Sequence, residues 1–355
     1  MAESEPQIAI ARPPDSSALS IECLTELHEI EKLAPQWEIL LQRSVCNRAF
    51  SSPAWFMAAH LSQPEATLRL MVARREGALA GILPLVVNTR ARLAEFATAW
   101  NDYHDMITAA GDVEAMCGLL HYACTQAKGY DSIVLQRLRY DSNGFQALCS
   151  LFPGPQWKKY FVEESTQYAY VALPSGYEEY LAGLPSKFRK NLLYLKRKAQ
   201  ASISIRELLP STFSPAQLAE TFLSLHLARF GARTSFAEPG EQNFVYYLFP
   251  RLFANGLLRA FAIFQDERIV AIALNMVGPQ SLCLWNAGFV SEAEPWSPGT
   301  LLTDAALHAA CDAGLAEYDF LRGTENYKKN WSCSFRAVGS IELPVQVGIS
   351  RGAVL

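Results

Sequence analysis

The constraint that most limits how this chain can fold is a pair of matched spacings. Trp100-Asn101 and Trp285-Asn286 repeat one dipeptide, and each tryptophan lies 29 residues before a glycine, Gly129 or Gly314. Each glycine is followed 8 residues later by an arginine, Arg137 or Arg322. The elements predicted around these marks come in the same order. In the first half, apolar alternation predicts strands over 68–73 and 79–87 about a turn at 74–78, strand-like segments near Trp100 and Met106, a helix over 113–127, and a buried strand over 132–138. In the second half, strands over 257–264 and 269–277 flank a turn at 265–268. A strand over 282–287, a helix over 300–313 and a strand over 318–321 follow. A repeat of this size means two related domains rather than a solenoid. Trp100 is expected to superpose on Trp285, and Arg137 on Arg322.

The length of 355 residues agrees, since about 150 residues per domain is the usual prior. The predicted division is a flexible lead over 1–18, an N-terminal domain over 19–173 and a C-terminal domain over 174–355. Ahead of the first hairpin, 21–23 reads as a strand and 24–42 as an amphipathic helix with an irregularity at Pro35. Ser52 and Pro53 read as N-cap and first residue of another helix. Helices are also predicted over 213–230 and 242–253.

Composition excludes several classes. Half the residues are hydrophobic and 19% are charged, which rules out disorder as the main state. A net charge of −4 argues against general nucleic-acid or membrane-surface binding. The apolar run 80–87 contains Gly81 and Pro84 and is far short of a spanning segment, and residues 1–20, with no basic stretch and no apolar stretch, are not expected to act as an export signal. The eight cysteines form no CxxC pair and the six histidines lack metal spacing. A cytoplasmic protein with reduced cysteines and no bound metal is expected.

Four segments have residue types suited to chemistry. Ser297-Pro298-Gly299-Thr300-Leu301 opens a helix after a strand. Its free N–H groups and helix dipole would suit an anion such as a pyrophosphate, or it is simply a well-capped helix. Residues 187–198 hold six cations and no acid, with Phe188, Leu192 and Leu195 on one helix face. Lys187, Arg189 and Lys190 would meet an anionic substrate group, unless the basic face is only solvated. His226 and Arg229 share a helix face, either at a substrate or as a partly buried structural pair. Asp319, Arg322, Glu325, Tyr327 and Lys328 lie on a strand and the polar loop after it, where sites tend to form. GxSxG, GxGxxG and GxxxxGK[ST] are absent, so hydrolases and nucleotide cofactors of those types have no support.

Phe188-Arg189-Lys190-Asn191-Leu192, Leu225-His226-Leu227-Ala228-Arg229-Phe230, Ser297-Pro298-Gly299 and Tyr318-Asp319-Phe320-Leu321-Arg322-Gly323, followed by Tyr327-Lys328, together resemble the GNAT-superfamily acyltransferases of the CelD-like group. That group is named for a link to bacterial cellulose biosynthesis. The resemblance runs over about 19–347 and implies an α/β fold of two tandem GNAT-like domains, each a mixed, mostly antiparallel sheet flanked by helices. This double arrangement is shared with Fem-type aminoacyl transferases. It also implies acyl transfer from acetyl-CoA or another acyl-CoA to an amine or hydroxyl acceptor in polysaccharide or envelope biosynthesis, with no permanently bound cofactor.

Under that resemblance Ser297, Gly299, Thr300, Leu301 and Asn286 would bind the donor, although Glu292 to Gly299 departs from the usual Q/R-x-x-G-x-G/A loop. Backbone N–H groups near 284–286 would hold the oxyanion and Tyr327 would protonate the leaving thiolate. Glu325 or Asp319 would be the base, and Lys328 would hold an anionic group. Lys187, Arg189, Lys190, His226, Arg229 and Arg322 would contact substrate. Two other readings remain open: a Fem-like aminoacyl-tRNA-dependent transferase, favoured by Tyr327-Lys328-x-x-Trp331, and a non-catalytic scaffold of the same fold.

Overall fold

A computed structural model describes residues 19–97, 100–126 and 128–345, so the predicted lead over 1–18 lies outside the described residues. The first half contains β1 (Leu19–Leu24), α1 (Leu27–Leu41), α2 (Pro53–Ser62), β2 (Thr67–Arg75), β3 (Ala78–Asn88), β4 (Leu93–Phe96), β5 (Ile107–Thr108), α3 (Val113–Thr125), β6 (Ser132–Leu138), α4 (Asn143–Leu151) and β7 (Phe161–Glu163). β8 (Tyr168–Ala172) closes it, and the second half begins with α5 (Tyr177–Gly183), α6 (Ser186–Ala199), β9 (Ser204–Leu208), α7 (Pro215–Phe230), α8 (Pro239–Ala254), β10 (Leu258–Gln265) and β11 (Arg268–Val277). It ends with β12 (Ser281–Phe289), α9 (Pro298–Asp312), β13 (Glu317–Arg322), α10 (Asn326–Lys329), β14 (Ser334–Arg336) and β15 (Gly339–Pro344).

The strands form two sheets. One has the order β1-β2-β3-β4-β6-β15-β7, with β5 beside β3; the other has the order β14-β8-β13-β12-β11-β10-β9. Among the described residues, only β4–β6 and β12–β13 are parallel pairs; the rest are antiparallel. Each sheet is thus mixed and mostly antiparallel, with helices on its faces. The strands do not sort by the predicted boundary at 173/174. β8 lies before it yet pairs with β13, and β15 lies near the C-terminus yet pairs with β6 and β7 in the first sheet. Each half therefore contributes a strand to the other's sheet.

The repeated plan is visible in the pairing. Ala73 faces Gly81 and Arg74 faces Leu79 in the first hairpin; Ile263 faces Ala271 and Phe264 faces Ile269 in the second, so both carry the same irregularity at the same place. Gly129 and Gly314 have φ of 102° and 65°, a left-handed conformation that costs glycine little. β6 and β13 each start three residues later, which puts Arg137 and Arg322 on equivalent strands.

The tryptophans are not equivalent. Leu85 faces Phe96 in the first sheet and Asn275 faces Leu284 in the second, so the counterpart of Trp285 is Ala97. Trp100 lies beyond β4 in a turn with φ of 57°, where a strand was expected.

Other local expectations fare differently. Ser52 caps α2, its Oγ accepting from Trp55 N at 3.1 Å, with Pro53 in the first turn. Pro35 does not break α1, because the buried stripe Ile30, Leu33, Trp37, Leu40 and Leu41 holds the helix to the core through the missing N–H. A shared core joins the halves: Trp55 of α2 packs edge-on against Phe244 of α8 at 5.7 Å and Trp285 of β12 at 6.0 Å. Separate apolar clusters lie under α3 and α9. Among the described residues no helix is long and apolar enough to cross a membrane.

Candidate active site

The site begins where two parallel strands part. β12 and β13 pair only from Ser281 to Cys283 and from Glu317 to Asp319. Beyond this, Trp285 is an extra residue in β12, since Asn275 faces Leu284 and Leu274 faces Asn286. A bulge of this kind breaks the ladder and redirects the strand. β13 is irregular as well, with Leu321 at a φ of 58° and a register shift against β8 between Asp319 and Arg322. The result is a notch between the strands.

α9 starts beside that notch. Ser297 is left-handed, with φ of 53°, and its hydroxyl makes no capping bond, so this is not a helix capped by its N-terminal side chain. Its carbonyl accepts from Thr300 N at 2.9 Å and Leu301 N at 3.2 Å. Pro298 has no N–H, and a Cβ built on Gly299 would meet nothing within 4 Å, so the backbone is open to a ligand there. A cavity of about 400 Å³ adjoins it, lined by Ser297 to Thr300, Thr303, Leu284, Phe289, Phe188, Tyr327 and Trp331. The Leu301 side chain is in the core, so this residue offers the pocket no side-chain contact.

A second cavity, of about 620 Å³, lies between the two halves. Trp100, Asn101, Asp102 and Arg137 line it from the first, and Arg229, Phe230, Asn286, Arg322, Glu325 and Lys328 from the second. Asn286 thus faces this cavity rather than the helix-end pocket. Arg229, Leu284, Ala287 and Tyr327 border both cavities. The two cavities therefore adjoin, with Tyr327 among the residues of their shared wall.

Asp102 is held at a pKa of about 6, because burial disfavours its charged form more than Arg322 and Arg137 favour it. The Tyr327 phenol is raised to about 12, mainly by burial and then by neighbouring Glu325. Partial burial acts to raise the Glu325 pKa, but the hydrogen bond and charge of Lys328, with a backbone hydrogen bond, together outweigh it and leave the carboxyl below its ordinary value.

Several expected roles do not fit these positions. Asp319 lines neither cavity. It is fully buried, accepting from Tyr103 Oη at 2.7 Å and Leu321 N at 2.7 Å, with Arg336 at 3.8 Å. Its geometry ties the 103 loop to β13. Lys328 is only 2% exposed, and its ammonium donates to the carbonyls of Leu321, Arg322 and Gly323 at 3.3, 2.7 and 3.3 Å and pairs with Glu325 at 2.9 Å. Its donors are spent on its own loop, so it positions that loop and has none left for a substrate anion.

His226 is also withdrawn, with Nε2 3.0 Å from Thr234 Oγ1 and the ring packed on Phe222, Phe230 and Phe236. Burial lowers its pKa to about 4. Its helix lies directly on β12: a Cβ at Gly288 would sit 2.5 Å from His226 N. Lys187, Arg189 and Lys190 line neither cavity; the two lysines are exposed and Arg189 donates to the Ala182 carbonyl at 2.6 Å. Amphipathicity explains this, since Leu192 and Leu195 bury the opposite face of α6.

Sequence reasoning missed Asp102 and Asn101 as site residues. The available signal was the dense run Trp100-Asn101-Asp102-Tyr103-His104-Asp105, two aromatics with acids, an amide and a histidine in a largely apolar half.

Residues 186–329, from α6 to α10, match the family described as "Acetyltransferase (GNAT) domain". No curated protein matches the sequence. Among solved structures the chain is similar to FemX, at 12% identity and a TM-score of 0.63 over 90% of this chain and 96% of that one. A conserved protein of unknown function from Bacteroides thetaiotaomicron gives 10% identity and a TM-score of 0.57 over 92% and 100% of the two chains. L-PGS from Bacillus licheniformis gives 11% and 0.55 over 86% and 90%. At these identities the likeness is one of fold, and it extends over both sheets.

Proposed function

We propose that this chain transfers an acyl group from acyl-CoA to an amine or hydroxyl acceptor held between its two halves, within the CelD-like group of acyltransferases and in polysaccharide or envelope biosynthesis. The observation that carries this reading is a pair of adjoining cavities. A pocket at the open N-terminus of α9 and a polar cavity between the halves share Arg229, Leu284, Ala287 and Tyr327 in their walls. Two substrates can therefore enter from different sides and meet there.

The donor's pyrophosphate would lie against the first turn of α9, where the Gly299 N–H and the helix dipole favour an anion. Its thioester would reach the notch between β12 and β13. The bulge leaves the Trp285 backbone outside the regular ladder, and its N–H would suit the oxyanion of a tetrahedral intermediate. The acceptor's nucleophile attacks the carbonyl carbon and its proton passes to Asp102, directly or through one water. The C–S bond then breaks and the Tyr327 hydroxyl protonates the thiolate. A carboxyl with pKa near 6 is ionised at neutral pH and a phenol near 12 is protonated, so each group starts in the form its step needs. Glu325, engaged by Lys328, is the less suited base.

The test is free-thiol release from a panel of acyl-CoAs, with small amines and sugars as acceptors, by the wild-type protein and Tyr327→Phe. Turnover by the wild type and a loss of about 10²–10⁴ in the variant are expected. Absence of thiol release, with acyl transfer appearing only when charged tRNA is supplied, would move the donor assignment to the Fem-like reading.

A further inference from the structure

The second cavity also indicates what kind of molecule the acceptor is. It is lined by three guanidinium groups and the Lys328 ammonium, against two carboxylates, Asp102 and Glu325, one of which is already paired with Lys328. That is a local excess of positive charge in a chain whose net charge is −4. Among the described residues, Arg137, Arg229 and Arg322 form no ion pair. Arg137 is half-buried, and Arg229 and Arg322 are exposed; by contrast Arg75 reaches Asp112 at 2.9 Å, Arg259 reaches Glu207 at 2.6 Å, and Arg336 reaches Glu317 at 2.5 Å. Arg229 lies over the rings of Phe230 and Phe289, at 4.6 and 4.2 Å. Arg137 donates to the Asn101 carbonyl through Nη1, leaving its other donors available.

The placement of Arg137 and Arg322 follows from the repeated plan. Equivalent strands, β6 and β13, bring one arginine each to the same cavity from opposite halves, and both act electrostatically on Asp102 without an ion pair to it. Planar guanidinium groups suit carboxylate or phosphate oxygens in a bidentate mode.

We infer that the acceptor carries an anionic group, a carboxylate or a phosphate, bound between Arg137 and Arg322, with its nucleophilic nitrogen or oxygen directed toward Asp102. This rests on the reading of the interdomain cavity as the acceptor site. The anion fixes the acceptor's orientation, and its charge steers it to a cavity that repels simple cations.

The experiment titrates the full chain with two probes, inorganic phosphate and succinate, at low ionic strength, following tryptophan fluorescence; Trp100 and Trp285 both line the cavity. Neutral succinamide serves as control. Which probe binds more tightly distinguishes phosphate from carboxylate. Arg137→Gln and Arg322→Gln should each weaken the preferred probe about tenfold or more, and Arg322→Lys should recover part of the loss. Lys187→Gln with Lys190→Gln, on the exposed face of α6, should leave it unchanged. Probe affinity unaffected by Arg137→Gln and Arg322→Gln, or no anion binding by the wild type, overturns the inference. Acetyl-CoA binding is measured on the same proteins: anion binding retained with no acyl-CoA binding contradicts the transferase reading instead.

Discussion

Trp285 Nε1 donates a hydrogen bond to the backbone carbonyl of Trp100 at 3.1 Å, joining the bulge of β12 to the turn that carries Asp102. The turn is also held from its other side. The Trp100 ring stacks on Phe236 at 4.5 Å and its Nε1 donates to Glu241. Contacts from the second half therefore fix where a carboxyl from the first half enters the cavity.

Replacing Trp285 by Phe removes the donor and leaves the Trp100 carbonyl without this partner. A loss of about 1–3 kcal/mol in unfolding free energy is expected, measured by urea denaturation. Acceptor KM should rise while acyl-CoA affinity holds. Unchanged stability and unchanged KM together would show that the tryptophan contact does not position the turn.

Asp102 gives a pH prediction. As a base it must be ionised, so kcat/KM should fall as pH drops through about 6, while Tyr327, near 12, sets no limit in the neutral range. Arg137, Arg322, Asp319 and Lys328 all act on Asp102, so a variant of any of them should move this limb. Asp102→Asn should abolish the limb and lower the rate about 10²–10⁴. Its stability effect has the opposite sign. The folded pKa is raised above the unfolded one, so the group's stabilising contribution is present at low pH and lost as pH rises through about 6. Asp102→Asn should therefore raise Tm at pH 8. A variant with parental rate and parental pH profile would remove Asp102 from the chemistry.

Gly288 is needed for contact rather than for turning. Ala at 288 would place Cβ at 2.5, 2.7 and 2.9 Å from His226 N, Leu225 C and His226 Cα, all backbone atoms that cannot rotate away. Gly288→Ala should cost about 1–3 kcal/mol by overpacking and shift α7, displacing Arg229 and Phe230 from the second cavity. Full stability on chemical denaturation would show that α7 can slide on β12.

Lys328 should behave as a structural staple. Lys328→Met keeps much of the side-chain volume but removes the donors to three carbonyls, each bond to a charged group being worth about 1.5–3 kcal/mol. Acyl-CoA affinity is expected to survive where the protein stays folded, with the main effect on Tm. A variant of normal Tm that loses donor binding would return Lys328 to direct substrate contact.

The hairpins could be read from the sequence because alternating apolar runs such as 79–87 can bury only as strands. The end of α9 was legible because Gly314, just past its C-cap, supplies a positive φ cheaply. Trp100 was misplaced because a left-handed tryptophan has no local signal; it is held by Phe236 and Glu241, more than a hundred residues away. The exchange of β8 and β15 between halves is likewise a property of long-range pairing. Lys328 follows several polar residues and reads as exposed, and its burial depends on three carbonyls presented by the bend at Leu321 and Gly323. Asp102 becomes a site residue only through the closing of the two halves around it.

The most direct test of the account is acetyl-CoA binding to the wild type and Gly299→Val by isothermal titration calorimetry. The open space at Gly299 means the valine should leave the fold and Tm intact while blocking approach to the first turn of α9. Saturable binding by the wild type, weakened about tenfold or more in the folded variant, is the predicted result. Equal affinity in both proteins would contradict the placement of the donor, and with it the adjoining cavities as a two-substrate active site.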